Sequence, residues 1–315
     1  MVKWLILFMA PLGALSSKSW IFIWSFLEMS SFIFIIFLKE SKKSEISMMY
    51  FLVQSLSSSI LLLSLVLNEK FSFNYQEGSF LPSSLLILSL VTKCGLFPMH
   101  MWMVEIANKM SSMNIFIFLT IMKIAPLTVI MKSVSLEMLF LIIIFSSGVS
   151  VVLQFSSLDI KILMTFSSVS HSSWMCFSCL ISYHLMMFYF FTYSLILFLI
   201  LKEVKNKSLK SVLVGSSKSK SLSINILSLS GIPPLLGFFP KWCALMEASK
   251  LSNMKFLSFF LLMMNCLNVF IYLRLITYKS LNMPLKMKNE SKMESVFQLD
   301  TLINLLPLAI LIFMF

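Results

Sequence analysis

Long apolar stretches recur from one end of this chain to the other, and no other feature narrows its possible folds so far. A hydrocarbon core about 30 Å thick takes roughly 20 residues of helix to cross, and backbone polar groups inside it must be satisfied within the segment. Runs such as Phe32-Ile33-Phe34-Ile35-Ile36-Phe37-Leu38 are apolar on every side, unlike the alternating strands of a membrane β-barrel. With 58% hydrophobic and 12% charged residues among 315, there is too little polar surface to cover a water-soluble globule. The pattern predicts an all-α polytopic membrane protein.

Eleven spans are predicted: residues 2–16, 19–38, 47–67, 80–101, 112–132, 136–156, 160–181, 184–202, 222–248, 255–278 and 301–315. They make one transmembrane domain over 1–315, closed by a C-terminal helix. The net charge of +12 lies mostly in short gaps between apolar runs rather than on one exposed face, so it reports topology and argues against a nucleic-acid partner. If the loops alternate sides, sixteen lysines fall on one side and five on the other. The positive-inside rule then puts the N-terminus inside and, with an odd number of spans, the C-terminus outside. Six lysines from Lys202 to Lys220 read as a solvated loop touching anionic lipid headgroups, such as those of cardiolipin. All five cysteines lie within apolar runs, and Cys176-x-x-Cys179 lacks the second ligand pair of a zinc site, so buried thiols and no metal are expected. No small-residue cleavage site precedes the first span, and no cleavable signal is expected.

Four ionisable groups remain inside the spans. Glu28 is the tenth residue of the second span, Lys93 the fourteenth of the fourth, Lys123 the twelfth of the fifth and Lys241 the twentieth of the ninth. A charge at the bilayer centre costs at least about 2.5 kcal/mol on insertion scales, so such residues mark ion pathways by default. They lie on four different helices and can meet only across a bundle interior. Lys93, taken alone, could instead snorkel, and Lys241 is either an exit residue or an anchor at the outer water. His171 is either a hydrogen-bonded bundle histidine or a proton carrier. Arg274, near the end of the tenth span, reads as a snorkelling anchor, and the serine-rich spans as sources of interhelical hydrogen bonds.

Two spans contain helix breakers beside a lysine. Gly95 and Pro98 follow Lys93, and Gly231-Ile232-Pro233-Pro234-Leu235-Leu236-Gly237-Phe238-Phe239-Pro240 precedes Lys241 and Trp242. Proline removes a backbone donor and clashes with the preceding turn. Open backbone at membrane depth is tolerated only in protein interiors or around water, and interrupted helices in two corresponding positions point to an ion site. A milder break is expected at Lys123-Ile124-Ala125-Pro126. The recurrence suggests two related halves, about 1–156 and 157–278.

These residues carry a resemblance. Lys93-x-Gly95-x-x-Pro98-x-His100-x-Trp102, Gly231-x-Pro233-Pro234-x-x-Gly237-Phe238-x-Pro240-Lys241-Trp242, Leu27-Glu28-Met29, Lys123-x-Ala125-Pro126 and Ser167-x-x-Ser170-His171-x-Ser173-Trp174 resemble segments of the NADH dehydrogenase subunit 2 family. These are the mitochondrially encoded antiporter-like subunits of respiratory complex I. The likeness runs in order from about Trp20 to Arg274, with Ser173 standing where glycine is usual and Cys94 replacing a usual leucine. Abundant Phe, Met, Ser and Lys beside a single arginine also looks like the usage of an AT-rich mitochondrial genome.

The resemblance implies two inverted bundles of five helices, each with a discontinuous helix, in the mitochondrial inner membrane with the N-terminus in the matrix and the C-terminus in the intermembrane space. It implies no flavin, iron–sulfur cluster or nicotinamide site in this chain, and membrane-arm subunits of complex I as partners. Glu28, Lys93, Lys123 and Lys241 match the family's buried glutamate, broken-helix lysine, connecting lysine and second broken-helix lysine. Burial disfavours a charged amine and a neighbouring carboxylate restores it. A Glu28–Lys93 pair would therefore hold a proton when closed and release it when opened, with Lys123, Lys241, His171 and trapped water as the relay. Two other readings share the same residues. One is a subunit of a stand-alone cation/proton antiporter, which normally carries three further N-terminal helices; the other is a structural membrane subunit whose charges only hold helices together.

Overall fold

The computed structural model describes residues 2–17, 19–40, 44–71, 80–133, 136–157, 159–205, 218–281 and 304. Helices account for nearly all of them: α1 (Val2–Ser16), α2 (Trp20–Glu40), α3 (Ser44–Phe71), α4 (Phe80–Cys94), α5 (Met101–Lys109), α6 (Ser112–Leu119), α7 (Ile121–Ser133), α8 (Leu136–Ser156), α9 (Ile160–Ile181), α10 (Tyr183–Lys205), α11 (Lys218–Ser230), α12 (Phe238–Ser249) and α13 (Lys255–Leu281). Without water to solvate a backbone, the helix is the local solution that closes every hydrogen bond. Six stretches, in α2, α3, α6 with α7, α8, α10 and α13, are long and apolar enough to cross a membrane, with mean hydropathies between 1.9 and 2.3. The expected eleventh span, 301–315, lies outside the described residues apart from Asn304, as does most of the lysine-rich tract after Lys202.

Residues Met1–Ser146 and Ser147–Phe315 form two compact units, parting within α8. In the first, α1 packs on α2, α3 on α2 and α4, and α7 runs against α1, α2 and α4. An aromatic wall fills it: the Phe34 ring lies 5.0 Å from Tyr50 and 5.8 Å from Phe118, which is 5.7 Å from Trp102. In the second, α10 packs on α9, α11 and α12, and α13 on α11 and α12.

The helix in α9 is unusual in composition. From Leu163 to Cys179 every residue is buried, although six of them are serine. The hydroxyls are satisfied at home: Ser167, Ser170, Ser172, Ser173 and Ser178 donate to the carbonyls of Met164, Ser167, Val169, Ser170 and Met175 at 2.7–2.8 Å. The same three-residue return recurs in α2, α3 and α8. Some serines also meet other helices: Ser221 of α11 donates to Glu203 of α10, and Tyr272 of α13 and Tyr193 of α10 stand beside Ser167 and Ser168 of α9. In a helix the carbonyl one turn back is nonetheless the nearest acceptor for a short hydroxyl. Ser173, where glycine was usual, is fully buried by this means.

Both strong breaks open where the glycines stand. At the end of α4, Gly95 adopts φ +66°, its N–H donates to Thr92 O at 3.2 Å and Leu96 N–H to Val91 O at 3.1 Å. That pair of bonds is the left-handed helix stop favoured by glycine. Gly231 repeats it after α11 with φ +83° and a bond to Ser228 O at 3.1 Å. The Phe97–Pro98 and Pro233–Pro234 peptide bonds that follow are cis.

Two expectations are corrected. The mild break falls at Thr120, between α6 and α7, while Pro126 lies inside α7. Proline strains the turn before it, and the ladder yields upstream at Thr120, where the N–H and the hydroxyl both donate to Phe116 O at 3.1 and 2.6 Å and Lys123 N–H closes a tighter turn on Thr120 O at 2.9 Å. Arg274 does not snorkel: its Nη2 donates to Phe155 O at 2.7 Å and its guanidinium lies over the Phe155 ring at 5.8 Å. Carbonyls in the last turn of α8 lack helical donors, and a guanidinium with several N–H groups supplies one.

Candidate functional site

In the first unit, α2, α4 and α7 bring Glu28, Lys93 and Lys123 to one place. The Lys93 Nζ donates to Glu28 Oε1 at 3.1 Å, with the two side chains 3% and 14% exposed. A charge-assisted bond this far from water is strong, and removing one partner of such a pair costs about 3–5 kcal/mol. Lys93 also occupies the last turn of α4, where unpaired carbonyls favour a cation. It is not a snorkelling residue. Lys123, 4% exposed, shares with Lys93 a small cavity of about 10 Å³, enough for about one water.

Tyr50 and Gln54, one turn apart on α3, line the same cavity, with Ser30 and Ser31 of α2 beside them. Sequence reasoning passed over both α3 residues. The signal was a lone amide in an apolar run with a tyrosine four residues before it, which one helix face brings together. The Tyr50 phenol stands near the Glu28 carboxylate.

In the second unit, Lys241 is buried and the alternative of an anchor at open water does not hold. Its Nζ donates to Ser230 O at 2.9 Å and to Asn265 Oδ1 at 2.6 Å, and lies 5.9 Å from the centre of the Trp174 ring. Ser230 is the last residue of α11, so an amine from the start of α12 caps the end of the preceding half-helix. Lys93 and Lys241 thus reach the same electrostatic position by different routes: one sits in the last turn of its own helix, the other folds back onto its neighbour. Their partners differ in kind, a carboxylate for Lys93 and neutral oxygens for Lys241. Asn265, which completes the second arrangement, gave no sequence signal beyond being a polar residue in an apolar span.

His171 is buried one turn from Trp174 on α9. Its Nδ1 is 2.8 Å from the Tyr189 hydroxyl, and its ring centre 5.0 Å from that of Tyr193. That bond is common to both roles offered by the sequence, a structural histidine and a proton carrier, and the tautomer follows from which way the Tyr189 proton points. Cys94, Cys176 and Cys179 are buried thiols as expected, whereas Cys243 is half-buried and Cys266, on the outer face of α13, is exposed. Among the described residues no group of three or more His, Cys, Asp or Glu side chains is placed to hold a metal.

Amines buried at the broken ends of helices, in an all-helical membrane fold, define an antiporter-like membrane protein. Residues 17–270 match the family described as NADH:quinone oxidoreductase/Mrp antiporter, transmembrane. NADH-ubiquinone oxidoreductase chain 2 of Artemia franciscana is 36% identical over 93% of this chain and 94% of its own length. The chain belongs to this family, in its NADH-ubiquinone oxidoreductase chain 2 branch. The fold is shared more widely. A chain of respiratory complex I from Thermus thermophilus, solved with bound aureothin, superposes with a TM-score of 0.77 at 21% identity, covering 88% of this chain and 70% of that one. A chain of the Mrp complex from Dietzia sp. superposes at 0.76 and 16% identity, covering 92% of this chain and 62% of that one.

Proposed function

We propose that this chain is a proton-translocating membrane subunit of a respiratory NADH:ubiquinone oxidoreductase, moving protons in response to redox chemistry carried out by other subunits. The observation that carries the reading is the buried Glu28–Lys93 pair with Lys123 on the same cavity. While the pair is closed, the ammonium is compensated and keeps its proton. Once the two side chains part, a lone charge in a low-dielectric interior becomes costly, and transfer to Lys123 or to a water relieves it. In the second unit Lys241, with the neutral oxygens of Ser230 and Asn265 around it, and His171 are the proton-handling groups.

In this reading α4 with α5 and α11 with α12 are each one membrane crossing interrupted at mid-depth, and the chain makes eleven crossings in two inverted halves. No redox centre resides in it. Its place is the mitochondrial inner membrane, with the N-terminus in the matrix, beside other membrane-arm subunits and anionic lipid. The family membership and the shared fold with complex I and Mrp chains support these statements.

Lys123→Met tests the reading against a purely structural role. Methionine keeps the apolar stem and removes the amine, so the assembled complex should persist while its proton flux in reconstituted vesicles falls by about 10²-fold or more, the usual worth of a positioned proton-transfer group. Flux at the normal rate would mean that the buried charges serve only to join helices.

A further inference from the structure

Three polar residues on α13 share one face: Asn265, Asn268 and Tyr272, spaced by three and four positions. Such a stripe in an apolar helix is costly unless it has a use. Asn265 holds the Lys241 amine at 2.6 Å. Asn268 is 6% exposed, and its Oδ1 is buried with no hydrogen-bond partner. Tyr272 is 2% exposed; its phenol oxygen, like that of Tyr193, is buried without a hydrogen bond of good geometry. The polar neighbour of Tyr272 is Ser167, and that of Tyr193 is Ser168, both on α9.

The two helices agree on where this stripe leads. Lys241 lies between Trp174 of α9 and Asn265 of α13. Seven residues back from Trp174 is Ser167, and seven residues on from Asn265 is Tyr272. The helices therefore run antiparallel along the stripe, which extends about 10 Å from the amine at 1.5 Å per residue. His171, held by Tyr189, lies midway along the α9 side.

We propose that this stripe of neutral groups, Asn265, Asn268 and Tyr272 facing Ser167 and Tyr193, is a proton conduit serving Lys241 from the C-terminal end of α13. It rests on the proton-translocating reading above. The chemistry suits the task. A phenol or serine hydroxyl accepts one hydrogen bond and donates another, so a proton arriving on its oxygen is matched by the release of its own. The group ends with the proton count it began with, and the net event is one proton entering at Tyr272 and one reaching the Lys241 nitrogen. Amides do not pass protons this way; the Asn268 carbonyl oxygen instead supplies an acceptor that orients a water between the phenol and the amine.

Two substitutions test it in the assembled complex reconstituted into vesicles, with proton translocation and NADH oxidation measured per assembled complex. Tyr272→Phe removes one oxygen, and Asn268→Leu replaces the amide by an apolar group of similar size. Each is expected to slow proton translocation about tenfold or more while the amount of complex stays near normal, and Asn268→Ser is expected to recover most of the loss. A residue that merely supports packing would change the amount assembled and not the translocation per complex. Normal translocation by both variants while Lys241→Met abolishes it would overturn the conduit and leave the lysine relay standing. Normal translocation by Lys241→Met as well would overturn both.

Discussion

Lys93→Met is expected to abolish proton translocation while the subunit still enters its complex at a reduced level. Methionine matches the length of the lysine stem and suits the wall formed by Leu27, Met103 and Phe118, so steric disturbance is small. The electrostatic loss is larger. Glu28, 14% exposed, is left without its cation, and stripping one partner from a buried pair costs about 3–5 kcal/mol. A charge-free pair separates the two effects. Adding Glu28→Gln should return the amount of complex toward normal, because neutral replacement of both partners is close to isoenergetic, yet translocation should stay at zero. Proton uptake in vesicles, read beside the quantity of complex on a native gel, checks both. Full translocation by the single variant would remove Lys93 from the mechanism.

Gly237→Ala should be more damaging to the structure than substitution of Gly148 or Gly231, the other described glycines of the second unit. A methyl group there would overlap the backbone carbonyl oxygen of Ser228, with the Ile196 Cδ1 at 3.4 Å closing the other side. A backbone oxygen in α11 has no rotamer to escape into. The two half-helices must move apart, and the Lys241 bonds to Ser230 O and Asn265 go with them. Overpacking costs about 1–3 kcal/mol where side chains can yield, and a clash with backbone belongs at or above the top of that range. The outcome expected is loss of most assembled complex. Gly231→Ala is the informative comparison: its φ of +83° disfavours a side chain, at about 1–2 kcal/mol, but the nearest atoms to the added carbon are side-chain atoms of Lys241, Nζ at 2.8 Å and Cδ at 3.2 Å, rather than backbone. That variant should assemble better and translocate poorly. Gly148→Ala, whose nearest neighbour would be Phe260 Cζ at 3.9 Å, should be neutral. Thermal stability of the three variants orders them, and normal assembly by Gly237→Ala would contradict the close approach of α11 and α12.

The departures between residue pattern and structure share one cause. Pro126 announces a weakened ladder, but the helix is interrupted six residues earlier, at Thr120, whose N–H and hydroxyl both close on the Phe116 carbonyl. Arg274 lies near enough to a helix end to reach water, yet the unfilled carbonyl of Phe155, 119 residues away, binds it instead. Serines of α9 donate within their own helix, while Ser221 of α11 reaches across to Glu203 of α10. In each case the residue type states what bond is needed, and the neighbourhood decides who makes it.

Burial depth, helix breaks and the cost of a charge in hydrocarbon are properties of a short stretch of chain. For that reason the residues alone determined an all-helical membrane protein, the interruptions at Gly95 and Gly231, and the small set of ionisable groups worth watching. Partnership is a property of which helices touch. Only the tertiary structure decided that Glu28 meets Lys93 across 65 residues of sequence, that Lys241 bends back onto the end of α11 and finds Asn265, and that Tyr50 and Gln54 close the cavity beside Lys123. No periodicity encodes such encounters, since each depends on side-chain packing between segments that are distant along the chain.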